Sequence, residues 1–174
     1  MQSSYKQIIL NQDGSVKYEK MFTLQDLNDK IIPTSQLYDF YNKLPKSEWV
    51  WTNITTPALP GEEWKEYPPN GRFLAQIRKA HKVKISNKGR VMFDGKIIKQ
   101  RDHGYMYLRL DYDGAATPYV WQLIADTWLA PHPDDGQEWG VHHISNDAYN
   151  DNIPENLIWL PWDFHKRVNH RLRE

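Results

Sequence analysis

The side chains best suited to chemistry in this sequence are histidines, and they concentrate between residues 140 and 170. A histidine pair is followed by an asparagine and then by a group of nitrogen and oxygen donors, in the order His142, His143, Asn156, His165, Asn169 and His170. Imidazole titrates near neutral pH and binds divalent metals, so it can act as a general base or as a ligand. A divalent ion beside such a base stabilises the developing charge and the leaving oxygen of a phosphodiester. The pattern therefore indicates metal-assisted hydrolysis.

Two strands and a helix are predicted to position these donors. Residues 139–144 and 157–160 are apolar enough for strands, and polar turn-forming residues separate them. Pro161 closes this hairpin, and residues 162–173 have a helical pattern with Asp163 in the first turn, where the helix dipole favours negative charge. Trp159 and Trp162 are expected in the core rather than as base-stacking groups.

The spacing within these elements suggests a division of roles. Neighbouring strand residues point to opposite faces, so His142 and His143 reach one site together only where the strand twists at its end. His165 and Asn169 are four residues apart and share one face of the predicted helix. We therefore predict His142, His165 and Asn169 as metal ligands and His143 as the general base.

Two positions complete this prediction. Asn156, at the foot of the returning strand, is expected to belong to the catalytic group by holding the loop through backbone hydrogen bonds, as Asn often does in turns. His170 lies further round the helix and stays open as an alternative ligand to Asn169. One divalent ion per site is expected, with Mg²⁺ or Mn²⁺ for catalysis, although nitrogen donors favour Zn²⁺ or Ni²⁺ by affinity.

A basic segment precedes this cluster. The whole chain is neutral, with 22 basic and 22 acidic residues, but residues 72–101 hold ten Lys or Arg and one acid, Asp94. Residues 82–110 alternate apolar and polar side chains around Gly-containing turns, which predicts an antiparallel meander with one basic, tyrosine-bearing face. Such a face suits phosphates and sugar edges. The predicted DNA-binding residues are Lys82, Lys84, Lys88, Arg90, Lys96, Lys99, Arg101, Tyr105, Tyr107 and Arg109.

The rest of the chain divides into smaller segments. Residues 5–20 predict a hairpin with a turn at Asp13-Gly14, and residues 22–44 predict two short helices, the first capped by Thr23. Residues 45–70 contain five prolines and three tryptophans, so we expect an irregular wrap or linker without regular structure. A helix with buried Val120, Leu123 and Trp128 is expected to pack on the meander. The predicted units are 1–44, 45–70, 71–130 and 131–174, and the predicted class is α+β.

From residue 81 onward the sequence resembles the HNH endonucleases. The sequence HH, then ENL, then a histidine nine residues after the asparagine resembles the stations of their ββα-metal motif. The stretches KISNKGRVMFDGKIIKQ, GYMYLRL and YVWQLIADTWL are similar to the module that precedes HNH in phage and intron-encoded homing endonucleases, so the resemblance covers residues 81–174. It implies a meander with a packing helix followed by the ββα-metal motif, and one metal ion cleaving DNA to 5′-phosphate and 3′-hydroxyl ends.

The resemblance also implies roles for individual residues. It implies His143 as general base, His142 and His165 at metal positions, and Asn156 at the structural asparagine. Phage members often have Asp at the position of His142 and Asn at that of His165, so these two positions are more similar to the His-rich colicin nucleases. In the colicin nucleases the last metal position of the motif is a His, where this chain has Asn169. The identity of the last ligand in this chain therefore stays open.

Composition limits the alternatives. With no cysteine, neither disulfides nor cysteine zinc sites can form. No signal peptide or membrane-spanning apolar run is evident, so we expect a cytoplasmic protein, in the host cytosol if phage-encoded. The expected partner is double-stranded DNA, and no membrane association is expected. The oligomeric state is open. A catalytically inactive DNA-binding protein on an HNH scaffold and a structural-zinc interaction domain are the alternative functions.

Overall fold

Short antiparallel strands dominate the computed structural model, which describes residues 4–29, 51, 53–73, 82–102, 106–108, 118–144 and 152–168. The class is mixed α+β, as predicted, with four antiparallel sheets among these residues. The strands are β1 (Ser4–Leu10), β2 (Val16–Thr23), β3 (Trp64–Glu66), β4 (Val83–Ser86), β5 (Val91–Phe93), β6 (Lys96–Ile97), β7 (Arg101–Asp102), β8 (Met106–Tyr107), β9 (Trp139–His143) and β10 (Leu157–Pro161). The helices are α1 (Leu24–Asp29), α2 (Val120–Trp128) and α3 (Trp162–His165), with a 3-10 turn at Pro154–Asn156.

The N-terminal hairpin and its helix follow the prediction. Strands β1 and β2 pair antiparallel, and Gly14 supplies the positive φ of 89° that their turn requires. At the start of α1 the Thr23 amide donates to Asp26, and the Asp26 amide donates to the Thr23 hydroxyl. These two bonds satisfy N–H groups that have no partner within the helix. The second predicted helix falls in residues 34–44, outside the described residues.

A four-stranded sheet in the order β3-β4-β5-β6 forms the middle of the fold. Its β5–β6 turn is the predicted Asp94-Gly95 turn, with φ of 52° and 85° at these two residues. Strand β3 lies within the proline-rich segment, where we expected no regular structure, and pairs with β4 from Trp64↔Ser86 to Glu66↔Lys84. The expectation was wrong here because the five prolines flank these three residues and none interrupts them.

Helix α2 packs one face on this sheet, as the spacing of its apolar residues predicts. Val120, Leu123, Ile124 and Trp128 are buried, and the Trp128 indole donates from Nε1 to the Ile85 carbonyl of β4 at 3.1 Å. These side chains form the main core. No helix in the described part of the chain is long and apolar enough to cross a lipid bilayer.

The C-terminal hairpin pairs β9 with β10, from Leu157↔His143 to Pro161↔Trp139, as predicted. Helix α3 follows directly and is described only over the start of the predicted helix 162–173, with turns continuing through Val168. Phe164 of α3 and Val168, three residues beyond its end, belong to a second core with β10 and the N-terminal hairpin. The predicted unit boundaries at residues 44, 70 and 130 stay predictions.

The N-terminal hairpin is joined to the C-terminal one by hydrogen bonds. The side-chain amide of Gln7 on β1 donates from Nε2 to the carbonyls of Pro154, Glu155 and Leu157, at 3.3, 3.0 and 2.9 Å. The Ala130 amide donates to the Ile8 carbonyl at 3.0 Å. The first strand of the chain thus supports the turn that leads into β10.

Candidate metal centre

Strand β9 places the two adjacent histidines in different surroundings. Side chains of directly opposed residues in an antiparallel pair share one face, so His142 lies on the face of Ile158 and His143 on that of Leu157. Ile158 belongs to the second core and Leu157 to the main core. Both histidines are almost fully buried, at 2% and 5% exposure. Their rings are therefore held by packing on either side of the hairpin.

The structure brings His142 and His165 together. Their ring centroids are 5.1 Å apart with the rings nearly perpendicular, at 83°. His165 lies at the end of α3 and is half-buried, whereas His142 comes from the end of β9 that is paired with the start of β10. Two residues that are far apart in the sequence therefore present neighbouring imidazoles where the strand and the helix meet.

Trp162 supports the His165 ring from the other side. The two rings stack at 5.1 Å with an interplanar angle of 12°. Gly140 of β9 lies beneath the indole, and a Cβ at Gly140 would stand 3.2 Å from it, so the absence of a side chain lets the ring lie close to the strand. Trp162 is 45% exposed. The expectation of a core residue was wrong because α3 directs Phe164, and not Trp162, into the core.

His143 is fixed by a residue that sequence reasoning missed. Its Nε2 lies 3.1 Å from Oδ1 of the buried Asn152, and Trp121 of α2 contacts the imidazole edge-on at 5.8 Å between centroids. With the amide oxygen as acceptor, the imidazole donates from Nε2 and its lone pair is on Nδ1. Burial lowers the pKa of His143 to about 4; the Asn152 bond opposes this shift and the nearby His165 reinforces it. The imidazole is therefore neutral at physiological pH, the form that accepts a proton.

Asn152 is held in turn by the four-stranded sheet. Gly89, in the β4–β5 turn, has φ of 84°, and a Cβ there would stand 2.8 Å from the Asn152 carbonyl oxygen. Gln100 closes the same turn by donating from Nε2 to the Gly89 carbonyl at 2.7 Å. The sequence marks Gly89 as a turn residue, but Asn152 is one of several similar residues in the polar loop and carries no separate signal.

Asn156 lies at the foot of β10 and is fully buried. Its backbone amide donates to the backbone carbonyl of Ile153 at 3.0 Å, and its backbone carbonyl accepts from the backbone amide of Ile144 at 2.8 Å. These bonds connect the 3-10 turn to the end of β9. The predicted catalytic role of Asn156 stays a prediction.

Two of the predicted metal ligands lie side by side in the described part of the chain. Within the described residues no three His, Cys, Asp or Glu side chains form a group that could hold a metal ion. The paired imidazoles of His142 and His165 provide two nitrogen donors, a type that zinc, nickel and copper bind well. The remaining predicted ligands, Asn169 and His170, lie outside the described residues.

The predicted DNA-binding residues do not all share one face. Lys82, Lys84, Met92 and Asp94 line an open depression of about 550 Å³ on the outer face of the sheet. Lys96 pairs with Phe93 instead, so the register places it on the opposite face, which corrects the expectation of one basic face. Lys88 is half-buried in the β4–β5 turn, and Lys99 and Arg101 are exposed. Tyr105, Arg109 and the side chain of Tyr107 lie outside the described residues.

Arg90 is not available to DNA, which corrects that prediction. Its side chain is 0% exposed and forms an ion pair with Glu62. Its Nη1 atom also donates to the carbonyls of Asn53 and Thr56, at 2.9 and 2.6 Å. The physical reason is that the segment before β3 folds over the outer face of the sheet at this end and surrounds the guanidinium with acceptors. Arg90 therefore anchors the proline-rich wrap.

Comparisons of the sequence and the fold with known proteins found no relative. No family model matches the sequence, no curated protein matches it, and no solved structure matches its fold.

Proposed function

We propose that this protein is a metal-dependent DNA endonuclease of the HNH type. The observation that carries the proposal is the short distance of 5.1 Å between the ring centroids of His142 and His165. His143 follows His142 directly on β9. The element order of hairpin and helix, with Asn156 directly before the second strand, supports a ββα-metal arrangement. A neutral imidazole can serve as a general base, and a divalent ion held by a histidine pair can stabilise the phosphate charge, which are two contributions that support phosphodiester hydrolysis.

In this proposal the chain's residues divide the work between them. His143 accepts a proton from the attacking water, which requires the neutral imidazole that burial favours. Asn152 orients that ring through its amide. His142 and His165, with Asn169 or His170, hold one divalent ion. When bound, that ion supplies Lewis-acid stabilisation of the phosphate charge and of the leaving oxygen.

Double-stranded DNA is the proposed substrate, and the outer face of the sheet is the proposed contact surface. Lys82 and Lys84 share that face. Lysine ammonium groups attract phosphates through charge without reading sequence. In this proposal the surface binds the DNA backbone through charge. Phage or homing endonucleases are the class that this combination fits best.

Plasmid cleavage tests the proposal. Supercoiled DNA is incubated with the protein and Mg²⁺, Mn²⁺ or Zn²⁺, and nicked or linear product is expected with at least one ion. His143→Ala should lower the rate by about 10²–10⁴-fold, the usual contribution of a general base, and leave metal binding intact. His142→Ala should lower both. Loss of metal binding together with cleavage in His143→Ala would mean that the roles of the two histidines are exchanged, and intact plasmid under every metal would contradict the enzyme assignment.

A second function has one observation in its favour. His143 is only 5% exposed, whereas a general base must reach a water molecule and a phosphate. A DNA-binding protein that retains this scaffold without cutting would bury the histidine in the same way. Such a protein would bind duplex DNA with the salt dependence of phosphate contacts and would leave it intact.

A further inference from the structure

We propose that a cavity between the N-terminal hairpin and the C-terminal hairpin is a binding site for one nucleobase. The cavity has a volume of about 290 Å³. Its lining includes Tyr5, Gln7, Met21, His132, Trp139 and Trp159. Small-molecule sites in proteins begin near 300 Å³, so a single base or nucleoside fits, whereas a longer nucleic-acid segment does not.

The first argument is an unused acceptor on a buried side chain. Gln7 is 1% exposed, and among the described residues its Oε1 has no hydrogen-bond partner. The orientation of the amide is fixed because Nε2 donates to three backbone carbonyls, which the oxygen could not do. Buried polar atoms are nearly always satisfied, so an oriented acceptor without a partner, on a residue that lines the cavity, points to a ligand that donates to it once the side chain admits it.

The second argument is a matching unused donor. Within the described part of the chain, the buried Nε1 of Trp159 has no acceptor. The Trp159 ring is held in place, with the Arg72 guanidinium 5.3 Å from its centroid and the His132 ring 4.8 Å away at 65°. Arg72 is itself fixed by Asp126 at 2.9 Å. The lining therefore offers one acceptor and one donor on groups that cannot easily rotate away.

The third argument is the aromatic wall. His132 and Trp139 stack at 5.6 Å with 10° between their planes, and Tyr5 meets Trp139 edge-on at 5.9 Å. The Trp139 indole is locked because its Nε1 donates to Asp135 at 2.9 Å. Rigid aromatic faces favour planar ligands, and base–aromatic stacking is a general mode of nucleic-acid binding.

These features together select the ligand class. Every nucleobase carries a hydrogen-bond donor and an acceptor on one edge of a flat ring. Lys6, the basic residue in the lining, is already paired with Glu19 at 3.2 Å, so the cavity favours a neutral ring over an anion. The cavity's chemistry stands alone, but its assignment to a base within a DNA strand rests on the proposed function. Trp139 is four residues from His143 on β9, about 13 Å at the usual strand rise, which keeps the base close to the proposed cleavage centre.

Indole N–H resonances of ¹⁵N-labelled full-length protein test this site. Titration with each of the four deoxynucleosides, which lack phosphate, should shift the Trp159 Nε1–H resonance at millimolar concentration. Trp159→Phe, which assigns that resonance, should weaken binding about tenfold, the effect of losing one hydrogen bond. Trp51→Phe is the matched control because that indole is exposed and does not line the cavity. Triple-resonance assignment of the wild-type protein identifies the Trp159 resonance independently, so the wild-type shift decides the question even if Trp159→Phe fails to fold.

The source of the base is distinguished by a second titration. A short DNA oligonucleotide and the same backbone with every base removed are added to the wild-type protein. A shift of Trp159 with the first and not the second identifies a base within a strand, whereas a shift with nucleosides alone identifies a free nucleoside; both uphold the site. No shift of Trp159 with any nucleoside or with the oligonucleotide overturns it. Plasmid cleavage by the same preparation reports on the proposed function separately, since either result can fail while the other stands.

Discussion

The C-terminal hairpin and the four-stranded sheet are both antiparallel and both carry polar side chains, but they hold them differently. On the hairpin, His142, His143 and Asn156 are buried among neighbours that fix them. On the sheet, Lys82 and Lys96 extend into solvent. Groups that carry out chemistry must be held in place before the substrate arrives, whereas groups that neutralise phosphates work as flexible point charges. The difference in burial therefore separates a region suited to chemistry from one suited to binding.

The two regions share the main core, and one further contact between them reaches the proposed base. The β4–β5 turn of the sheet, at Gly89, lies against the backbone of Asn152, and Asn152 holds His143. The sheet thus positions the proposed base as well as presenting lysines. Changes on either side of this contact can break or sharpen the comparison.

The largest effect is expected at Arg90, the buried cation next to β5 of the four-stranded sheet. Arg90→Met leaves Glu62 buried without its partner, so the free energy of unfolding should fall by about 3–5 kcal/mol. Lys96→Met, in the same sheet but exposed, should change it by less than about 0.5 kcal/mol. Urea denaturation followed by circular dichroism measures both. Equal small effects would mean that Arg90 does not anchor the wrap.

The contact between the regions gives the next largest effect. Gly89→Ala forces a Cβ to 2.8 Å from the Asn152 oxygen at a positive φ, so we expect a loss of stability of about 1–3 kcal/mol and a slower cleavage step. Gly95→Ala is the matched control, since φ is 85° there but nothing lies within 4 Å of the added Cβ. Unfolding free energies and cleavage rates are compared at a temperature where both variants are folded. A cleavage rate lowered equally in both would contradict the link to His143.

The lysines of the outer face should act through charge alone. Replacing Lys82 and Lys84 by Ala should reduce the slope of log binding constant against log salt concentration by about one for each phosphate that the protein no longer neutralises. Lys17→Ala, an exposed lysine on β2, is the control with an unchanged slope. Fluorescence anisotropy with labelled duplex DNA over a range of NaCl gives the slope. An unchanged slope in the double variant would remove the outer face of the sheet from the DNA interface.

The smallest effect is expected at the stacked tryptophan. Trp162→Ala removes an aromatic contact worth about 0.5–1.5 kcal/mol from His165, so Ni²⁺ or Zn²⁺ affinity should fall by roughly two- to tenfold. Trp162→Phe should restore most of it, because a flat ring remains. Calorimetric titration of the metal measures both variants beside Trp51→Ala, which removes an exposed tryptophan elsewhere. Unchanged affinity in Trp162→Ala would show that the stack does not position the ligand.

Local patterns were enough to predict much of the fold. The Asp-Gly turns at residues 13–14 and 94–95, the apolar spacing of α2 and the two strands of the C-terminal hairpin depend on neighbours in sequence, and the structure confirms them. The pairing of His142 with His165 required only that the hairpin be followed by a helix.

Features that depend on distant partners were not predictable. Arg90 has the same alternating pattern as the exposed lysines, and only the fold of a segment 28 residues earlier shows that Glu62 neutralises it. Trp162 is a large apolar residue of the kind usually found in a core. It is exposed because the short helix α3 buries its other face, with Phe164. Asn152 is indistinguishable from the other loop asparagines until the β4–β5 turn is placed against it.

The central claim is that the hairpin carries the chemistry and the sheet carries the binding. Single-turnover cleavage of supercoiled DNA over a range of protein concentrations, with the activating metal present, tests it most directly. The account predicts that His143→Ala lowers the rate at saturating protein by about 10²–10⁴-fold with unchanged half-saturation, whereas the double Lys82 and Lys84 variant needs more protein but recovers the wild-type rate. A lysine variant that stays slow at saturation, together with a His143→Ala variant that cuts at the wild-type rate, would contradict it.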